Sequence, residues 1–146
     1  MSLANCLEAR GLNDHLRPGL KALGAHRVRV EVARPRRAAH SVALDEALEA
    51  DLPNAHRWDY GIDLTATGGA HVAWVEVHTA TSSEVETVLR KLAWLKQWLA
   101  EEHDACAKVG RSFHWVATDA GVHIDSARRR RLAAAGLRMP QSRLRL

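Results

Sequence analysis

The chain has 146 residues, 47% of them hydrophobic and 26% charged. That balance predicts one globular domain over residues 1–146 and excludes a wholly disordered chain. Apolar runs are short and interrupted by charge, so the sequence predicts no membrane span, no secretory signal and a cytoplasmic location. The net charge of +4, carried mainly by arginine, suits a partner that bears phosphate groups.

The first third of the chain predicts a helix, a strand and a second helix. Gly24 is expected to end the first helix, strict alternation of apolar and charged residues indicates the strand, and Ser41 is expected to cap the second helix. The first helix is expected to break near Arg17–Gly19. The predicted ranges are helix Leu3–Leu23, strand Arg27–Val32 and helix Ser41–Leu52.

The middle of the chain predicts a β-hairpin followed by a long helix. Two alternating, aromatic and β-branched runs flank a glycine-containing turn. Ser83 and Glu86 have the spacing of a capping box, which predicts the start of the helix. The predicted ranges are strand Trp58–Thr65, turn Thr67–Ala70, strand His71–Thr79 and helix Ser83–Glu102.

The last third predicts a strand, a basic helix and a short final strand, over Ser112–Thr118, Ser126–Ala135 and Arg143–Leu146. Helices and strands in this order predict a mixed α/β fold in which helices flank a central mixed sheet. Cys6 and Cys106 are too few and too far apart to indicate a disulfide framework, and free thiols are expected in a reducing cell.

The hairpin carries the residues that point to chemistry. If its turn is centred on Gly68–Gly69, Asp63 and Glu76 become diagonal neighbours on one face, and His78 shares that face. A glutamate within an apolar strand is costly to bury unless it is paired or holds a metal. Two converging carboxylates suit Mg²⁺ or Mn²⁺, so Asp63 and Glu76 are the predicted metal ligands. The alternative is a solvated outer face on which all three side chains contact water.

The stretch Ile62–Leu64, the turn, the run Ala73–His78 and the helix after it resemble the core of the restriction-endonuclease-like, or PD-(D/E)XK, nuclease superfamily. The resemblance implies an αβββαβ core, with Asp63 and Glu76 as the two motif acids. It further implies a metal-dependent phosphodiesterase that acts on DNA or RNA.

The sequence departs from that superfamily at the motif lysine, where it has His78. A histidine there could accept a proton, donate a hydrogen bond or bind metal. Lys91 on the following helix is the candidate to replace the lysine, whereas Lys96 falls within the apolar stripe of that helix. Catalytic residues are therefore predicted to be Asp63, Glu76, His78 and Lys91.

Asp59 is a rival for the first acid, because it alternates in phase with Asp63 and would lie beside His78. It could be a further ligand or a solvated position near the strand start. Glu8 and Glu31 could support the site or be ordinary surface charges.

Two arginine clusters are expected to contact nucleic-acid phosphates without reading sequence. They comprise Arg34, Arg36 and Arg37 in the first half of the chain, and Arg128, Arg129, Arg130 and Arg131 on the basic helix. The alternative function is a catalytically degenerate module that binds nucleic acid or protein, as a homodimer through the Trp94/Trp98 face of the long helix.

Overall fold

The computed structural model describes residues 2–66, 69–101 and 104–146. Its α-helices are α1 Leu3–Ala9, α2 Leu44–Leu48, α3 Val85–Ala100, α4 Asp104–Ala107 and α5 Ser126–Ala134. Its strands are β1 Leu16–Pro18, β2 Val30–Glu31, β3 Arg37–Ala43, β4 Tyr60–Ala66, β5 Gly69–Thr81, β6 Gly110–His123, β7 Leu137–Gln141 and β8 Leu144–Arg145. Short 3₁₀ segments cover Asn13–His15, Lys21–Arg29 and Ser82–Glu84.

The central sheet has six strands in the order β1-β3-β4-β5-β6-β7. Neighbours from β1 to β5 are antiparallel, and β5, β6 and β7 are parallel, so the sheet is mixed. The short strands β2 and β8 form a second, parallel pair. The predicted mixed α/β architecture, with helices flanking a central mixed sheet, is confirmed.

Side chains alternate between the two faces of the sheet, and each face has its own apolar core. The first core lies against α1 and α3, and the second lies under the segment that carries β2 and β8. Trp74 and Trp115 belong to the first core, whereas Val75 and Val116 belong to the second. The alternation therefore assigns each residue of β5 and β6 to one of two separate environments.

Several N-terminal expectations are wrong. The first α-helix ends at Ala9, well before Leu23, and the range Arg27–Val32 contributes only Val30–Glu31 as strand. Val28 is 70% exposed, so the alternation of charged and apolar residues here does not mark a buried face.

Ser41 does not cap a helix. It lies inside β3, is fully buried, and its hydroxyl accepts a hydrogen bond from the Ala22 N–H at 3.1 Å. The helix begins at Leu44, after the strand. Pairing of β3 with both β1 and β4 gives this segment more hydrogen bonds than a short capped helix would provide.

The hairpin and the long helix are confirmed, with differences at their ends. The predicted turn residues Thr67 and Gly68, and the predicted helix end at Glu102, lie outside the described residues. The capping box of Ser83 and Glu86 does not form, because a 3₁₀ turn precedes the helix and the Ser83 hydroxyl bonds to Thr81. The apolar stripe of α3 is buried as predicted, at Val85, Val88, Leu92, Leu95 and Leu99.

Towards the C-terminus, the basic helix is confirmed as α5, with Asp125 as its N-cap. Strand β6 is longer than predicted, and β7 was missed. Proline and arginine interrupt the apolar residues of β7, so its sequence lacks a strand pattern. The final strand is present as the two-residue β8.

One further expectation is wrong, and the environment of the Trp94/Trp98 face is defined. Cys6 and Cys106 are not free thiols, because a disulfide joins α1 to α4 across a sequence separation of 100 residues. Trp98 is only 5% exposed, packs edge-on to Trp74 and has the Arg10 guanidinium 4.4 Å above its ring. The Trp94/Trp98 face is therefore largely used within the monomer. Among the described residues, no helix is long and apolar enough to span a membrane.

Candidate active site

The hairpin register differs by two residues from the predicted one. Gly61 pairs with Trp74, and Asp63 pairs with Val72, four residues before Glu76 on the same strand. At the rise of an extended strand, Asp63 and Glu76 are separated by about 13 Å along the sheet. The Trp74 ring, which lies against Gly61, occupies the face between them. The predicted diagonal pairing of Asp63 with Glu76 is wrong.

Asp63 lies instead near the start of α1. It is buried, and His40 is its nearest ionic neighbour, with Nδ1 4.0 Å from Oδ2. Burial raises the pKa of Asp63, while His40 and the Leu3 N–H lower it. Its Oδ1 has no hydrogen-bond partner among the described protein atoms. This environment anchors the helix start and is distinct from that of Glu76.

Asp59 is the residue that meets Glu76. The Asp59 N–H donates to Glu76 Oε1 at 3.1 Å, and Asp59 Oδ2 accepts from the Val77 N–H at 2.9 Å. The remaining oxygen of each carboxylate faces Lys91, whose ammonium donates to Glu76 Oε2 and lies 3.7 Å from Asp59 Oδ1. Backbone amides thus fix one oxygen of each acid, and the other oxygen of each acid faces the Lys91 ammonium.

The electrostatics of this group follow from its burial. Glu76 is fully buried, and burial together with the charge of Asp59 raises its pKa to about 8, against the opposing effect of Lys91. Burial lowers the pKa of Lys91, but the charges of Glu76 and Asp59 outweigh burial, so its pKa lies above the ordinary value. Lys91 therefore stays charged at neutral pH, and Glu76 is the group that can exchange a proton there.

His78 borders the same group from the next outward position on β5. Its Nδ1 lies 3.7 Å from Glu76 Oε2, and its Nε2 lies 2.9 Å from Glu84 Oε2. Glu84, in the 3₁₀ turn that leads into α3, was not singled out from the sequence. Because Glu84 lies at the start of a helix, its place in the sequence indicates a capping role and does not indicate its contact with His78.

The two arginine clusters lie at different ends of the sheet. Arg37 pairs with Thr65, near the hairpin turn and far from Asp59, which immediately precedes β4. The helix that carries Arg128–Arg131 follows the end of β6, which pairs with the end of β5 just beyond His78. All four of its arginines are exposed. Only this second cluster lies at the Glu76 end of the sheet.

The donor set fits a hard divalent cation held by two carboxylates. Mg²⁺ commonly binds protein through one or two carboxylates and keeps water at its other positions. Asp59 Oδ1 and Glu76 Oε2 are the two oxygens without a backbone partner, and both face the Lys91 ammonium. Within the described part of the chain, no group of three or more His, Cys, Asp or Glu side chains is arranged to hold a metal.

Sequence reasoning recovered part of this arrangement. It selected Glu76, His78 and Lys91, which the fold brings together, and named Asp59 as the rival acid that in fact contacts Glu76. No family model, curated protein or solved structure gives a significant match to this chain.

Proposed function

We propose that this protein is a metal-dependent phosphodiesterase that acts on DNA or RNA at the Asp59–Glu76–Lys91 site. The observation that carries the proposal is the convergence of one oxygen from Asp59 and one from Glu76 on one point, held by the Lys91 ammonium, at a partly exposed edge of the core. Asp59 is 21% exposed and Lys91 17% exposed, so the group is within reach of solvent.

The order of elements supports the proposal. A helix, three antiparallel strands, a crossover helix and a parallel strand occur in the order α1, β3-β4-β5, α3 and β6, with β1, β2, α2 and α4 between them. This is the succession that the resemblance to restriction-endonuclease-like nucleases implies. Asp59 would serve as the first acid in place of Asp63, and Lys91 would supply from α3 the cation that the motif otherwise supplies from the strand.

Each residue has a role that its contacts allow. Asp59 and Glu76 would hold the metal, which when bound lowers the pKa of a coordinated water and stabilises charge on the phosphate. Lys91, which the metal would displace from Glu76, would contact the phosphate oxygens as negative charge grows on them. His78 would accept or donate a proton at Nδ1, while Glu84 holds its Nε2.

The arginines of α5 supply the contact surface for the nucleic-acid strand. Arg131 pairs with Glu86, and Arg128 pairs with Asp125, so these two are held at the helix surface. Contacts from such arginines to phosphate are independent of base sequence and weaken as salt is added. The proposal therefore covers both DNA and RNA substrates.

A second candidate function is a non-catalytic module with the same fold that binds nucleic acid. The observation that favours it is that the Lys91 ammonium already neutralises Glu76. A buried carboxylate paired in this way has a counterion without any metal.

The test is cleavage of labelled single- and double-stranded DNA and RNA with Mg²⁺, Mn²⁺ or EDTA. We expect metal-dependent cleavage by the wild type and a loss of at least about 100-fold in Glu76→Gln, because a ligand to the metal contributes several kcal/mol to the transition state. Glu49→Gln, an exposed change at the end of α2, is the matched control. If the wild type binds DNA or RNA but cleaves neither under any condition, the non-catalytic binding module is established instead.

A further inference from the structure

A second polar group lies on the opposite face of the sheet, away from Glu76. It consists of His71 on β5 and of Ser112 and His114 on β6. The Ser112 hydroxyl lies 2.8 Å from His71 Nε2 and 2.6 Å from His114 Nε2. A hydroxyl has one proton, so it donates to one imidazole and accepts from the N–H of the other. The neighbours of these residues along the strands, Ala73, Val75 and Val116, belong to the second core.

Two arginines flank this group. Arg138 on β7 is the register partner of His114, so it lies on the adjacent strand at the same level. Arg36 and His71 line one pocket, together with Leu64, Ala66, Gly69 and Ala70. Both arginines are exposed, Ser112 and His71 are half-buried, and His114 is only 7% exposed. The group therefore extends from two exposed guanidinium groups inward to the buried imidazole of His114.

The charges around the group are unbalanced. Burial, Arg36 and Arg138 all lower the pKa of His71, and burial, Arg138, His71 and Arg36 lower the pKa of His114 to about 4. Within the described part of the chain, the charges that shift these two pKa values are thus all cationic. Two guanidinium groups, together with the one imidazole N–H that is not bonded to Ser112, offer hydrogen-bond donors to an anion in a positive potential.

We propose that Arg36, His71, Ser112, His114 and Arg138 form a binding site for a phosphoryl group. The planar fork of arginine matches phosphate oxygens, and the imidazole that accepts the Ser112 proton keeps an Nδ1–H that can donate to a further oxygen. The pocket next to His71 is about 250 Å³, smaller than the sites that hold drug-sized ligands, and so suits a small anion or one phosphate of a larger molecule.

The phosphoryl group has two sources with the same chemistry, a free phosphate compound or one phosphate of a nucleic-acid strand. This site lies on the face opposite Glu76, near the hairpin turn. Phosphate binding here does not depend on whether the Glu76 site cleaves a substrate, and Glu76→Gln should bind phosphate as the wild type does.

The test is calorimetric titration with inorganic phosphate, joined to NMR observation of the histidine ring protons. We expect saturable binding by the wild type that is at least about tenfold weaker in the double variant Arg36→Gln/Arg138→Gln, since each lost charge-assisted hydrogen bond is worth over 1 kcal/mol. Arg90→Gln, an exposed change on α3 at the other face, should bind phosphate normally. Bound phosphate should also raise the pKa of His71 and His114, because an anion favours the imidazolium form.

A short single-stranded oligonucleotide then distinguishes the two sources. Displacement of phosphate by the oligonucleotide assigns the site to a strand, and simultaneous binding of both assigns it to a free phosphate compound. Because both arginines are exposed, the double variant should keep the wild-type unfolding temperature. Absence of saturable phosphate binding by the wild type, or equal binding by the folded double variant, would overturn the proposal.

Discussion

The backbone of Asp59, which immediately precedes β4, is hydrogen-bonded to the side chain of Glu76 on β5. The Asp59 N–H donates to Glu76 Oε1, and the Asp59 carboxylate in turn accepts from the amide of Val77, the residue after Glu76. Each acid thus has one oxygen fixed by the backbone of the opposite strand. This reciprocal arrangement orients both carboxylates before any ligand arrives, and a preorganised site loses less free energy on binding a cation.

The first prediction separates the two candidate acids. Asp59→Asn should lower metal-dependent cleavage by at least about 100-fold, because it removes a metal ligand that contributes several kcal/mol. Asp63→Asn should cleave at the wild-type rate, because Asp63 lies beyond Trp74 on the sheet. The measurement is the initial rate of strand cleavage by each variant at equal concentration of folded protein. The reverse ranking of the two variants would contradict the assignment of Asp59.

The second prediction concerns the buried ion pair. Lys91→Met leaves Glu76 buried without its cation and should lower the free energy of unfolding by about 3 kcal/mol at pH 9. The loss should shrink towards pH 5, because the folded state raises the pKa of Glu76 and its carboxyl can take up a proton there. Urea unfolding across this pH range measures both effects.

Two further variants control that experiment. Glu76→Gln/Lys91→Met should recover most of the lost stability, because neither member of the pair is then left charged. Lys96→Met removes a lysine of the same helix whose ammonium contacts only the Ala135 carbonyl among its described hydrogen-bond partners, so its effect should not vary with pH. A pH-independent loss in Lys91→Met would show that Glu76 does not depend on Lys91.

The sequence was sufficient for the fold class and for selecting Glu76, His78 and Lys91, which the fold brings together, for physical reasons. The apolar stripe of α3 and the alternation in β4 and β5 are strong periodic signals, and both are confirmed. The sequence pattern favoured Asp63 over Asp59 as the acid partner of Glu76. A two-residue change of hairpin register keeps every side chain on its face, so the pattern cannot distinguish the two registers.

Long-range relationships could not be obtained from the pattern either. Contact between Cys6 and Cys106 depends on how α1 and α4 pack together, which no local periodicity encodes. The group of His71, Ser112 and His114 likewise depends on the parallel pairing of β5 with β6. Ser112 and His114 also appear as ordinary alternating residues of a strand, so the sequence alone gave them no special chemistry.

The third prediction tests the disulfide. A bond that closes a loop across 100 residues should stabilise the folded state by about 5 kcal/mol in the chain-entropy description. Reduction should therefore lower the urea midpoint of the wild type, because the unfolded chain gains conformational freedom. Cys6→Ser/Cys106→Ser should unfold at the midpoint of the reduced wild type and should not respond to reductant. Two thiols titrated in the native protein without reductant would contradict the bond.

The fourth prediction concerns the close contact between Gly61 and Trp74. A methyl group at position 61 would come within 2.7 Å of the Trp74 ring, which is buried and cannot move aside without repacking. Gly61→Ala should therefore lower the free energy of unfolding by about 2 kcal/mol. Gly110→Ala is the matched change in a strand, since its methyl group would meet neighbours at ordinary distances of 3.5 Å or more. Equal stability of the two variants would contradict this packing.

The fifth prediction is a loss of stability in acid caused by His114. Burial, with the positive charges of Arg138, His71 and Arg36, lowers its pKa from 6.5 to about 4, so its neutral form is favoured on folding. The neutral ring adds about 3 kcal/mol to the free energy of unfolding above pH 6.5, and this contribution is lost as the pH falls to about 4. Urea unfolding should therefore depend less on pH in His114→Gln, whereas His15→Gln, an exposed change, should match the wild type. An unchanged pH dependence in His114→Gln would mean that folding does not change the pKa of this ring.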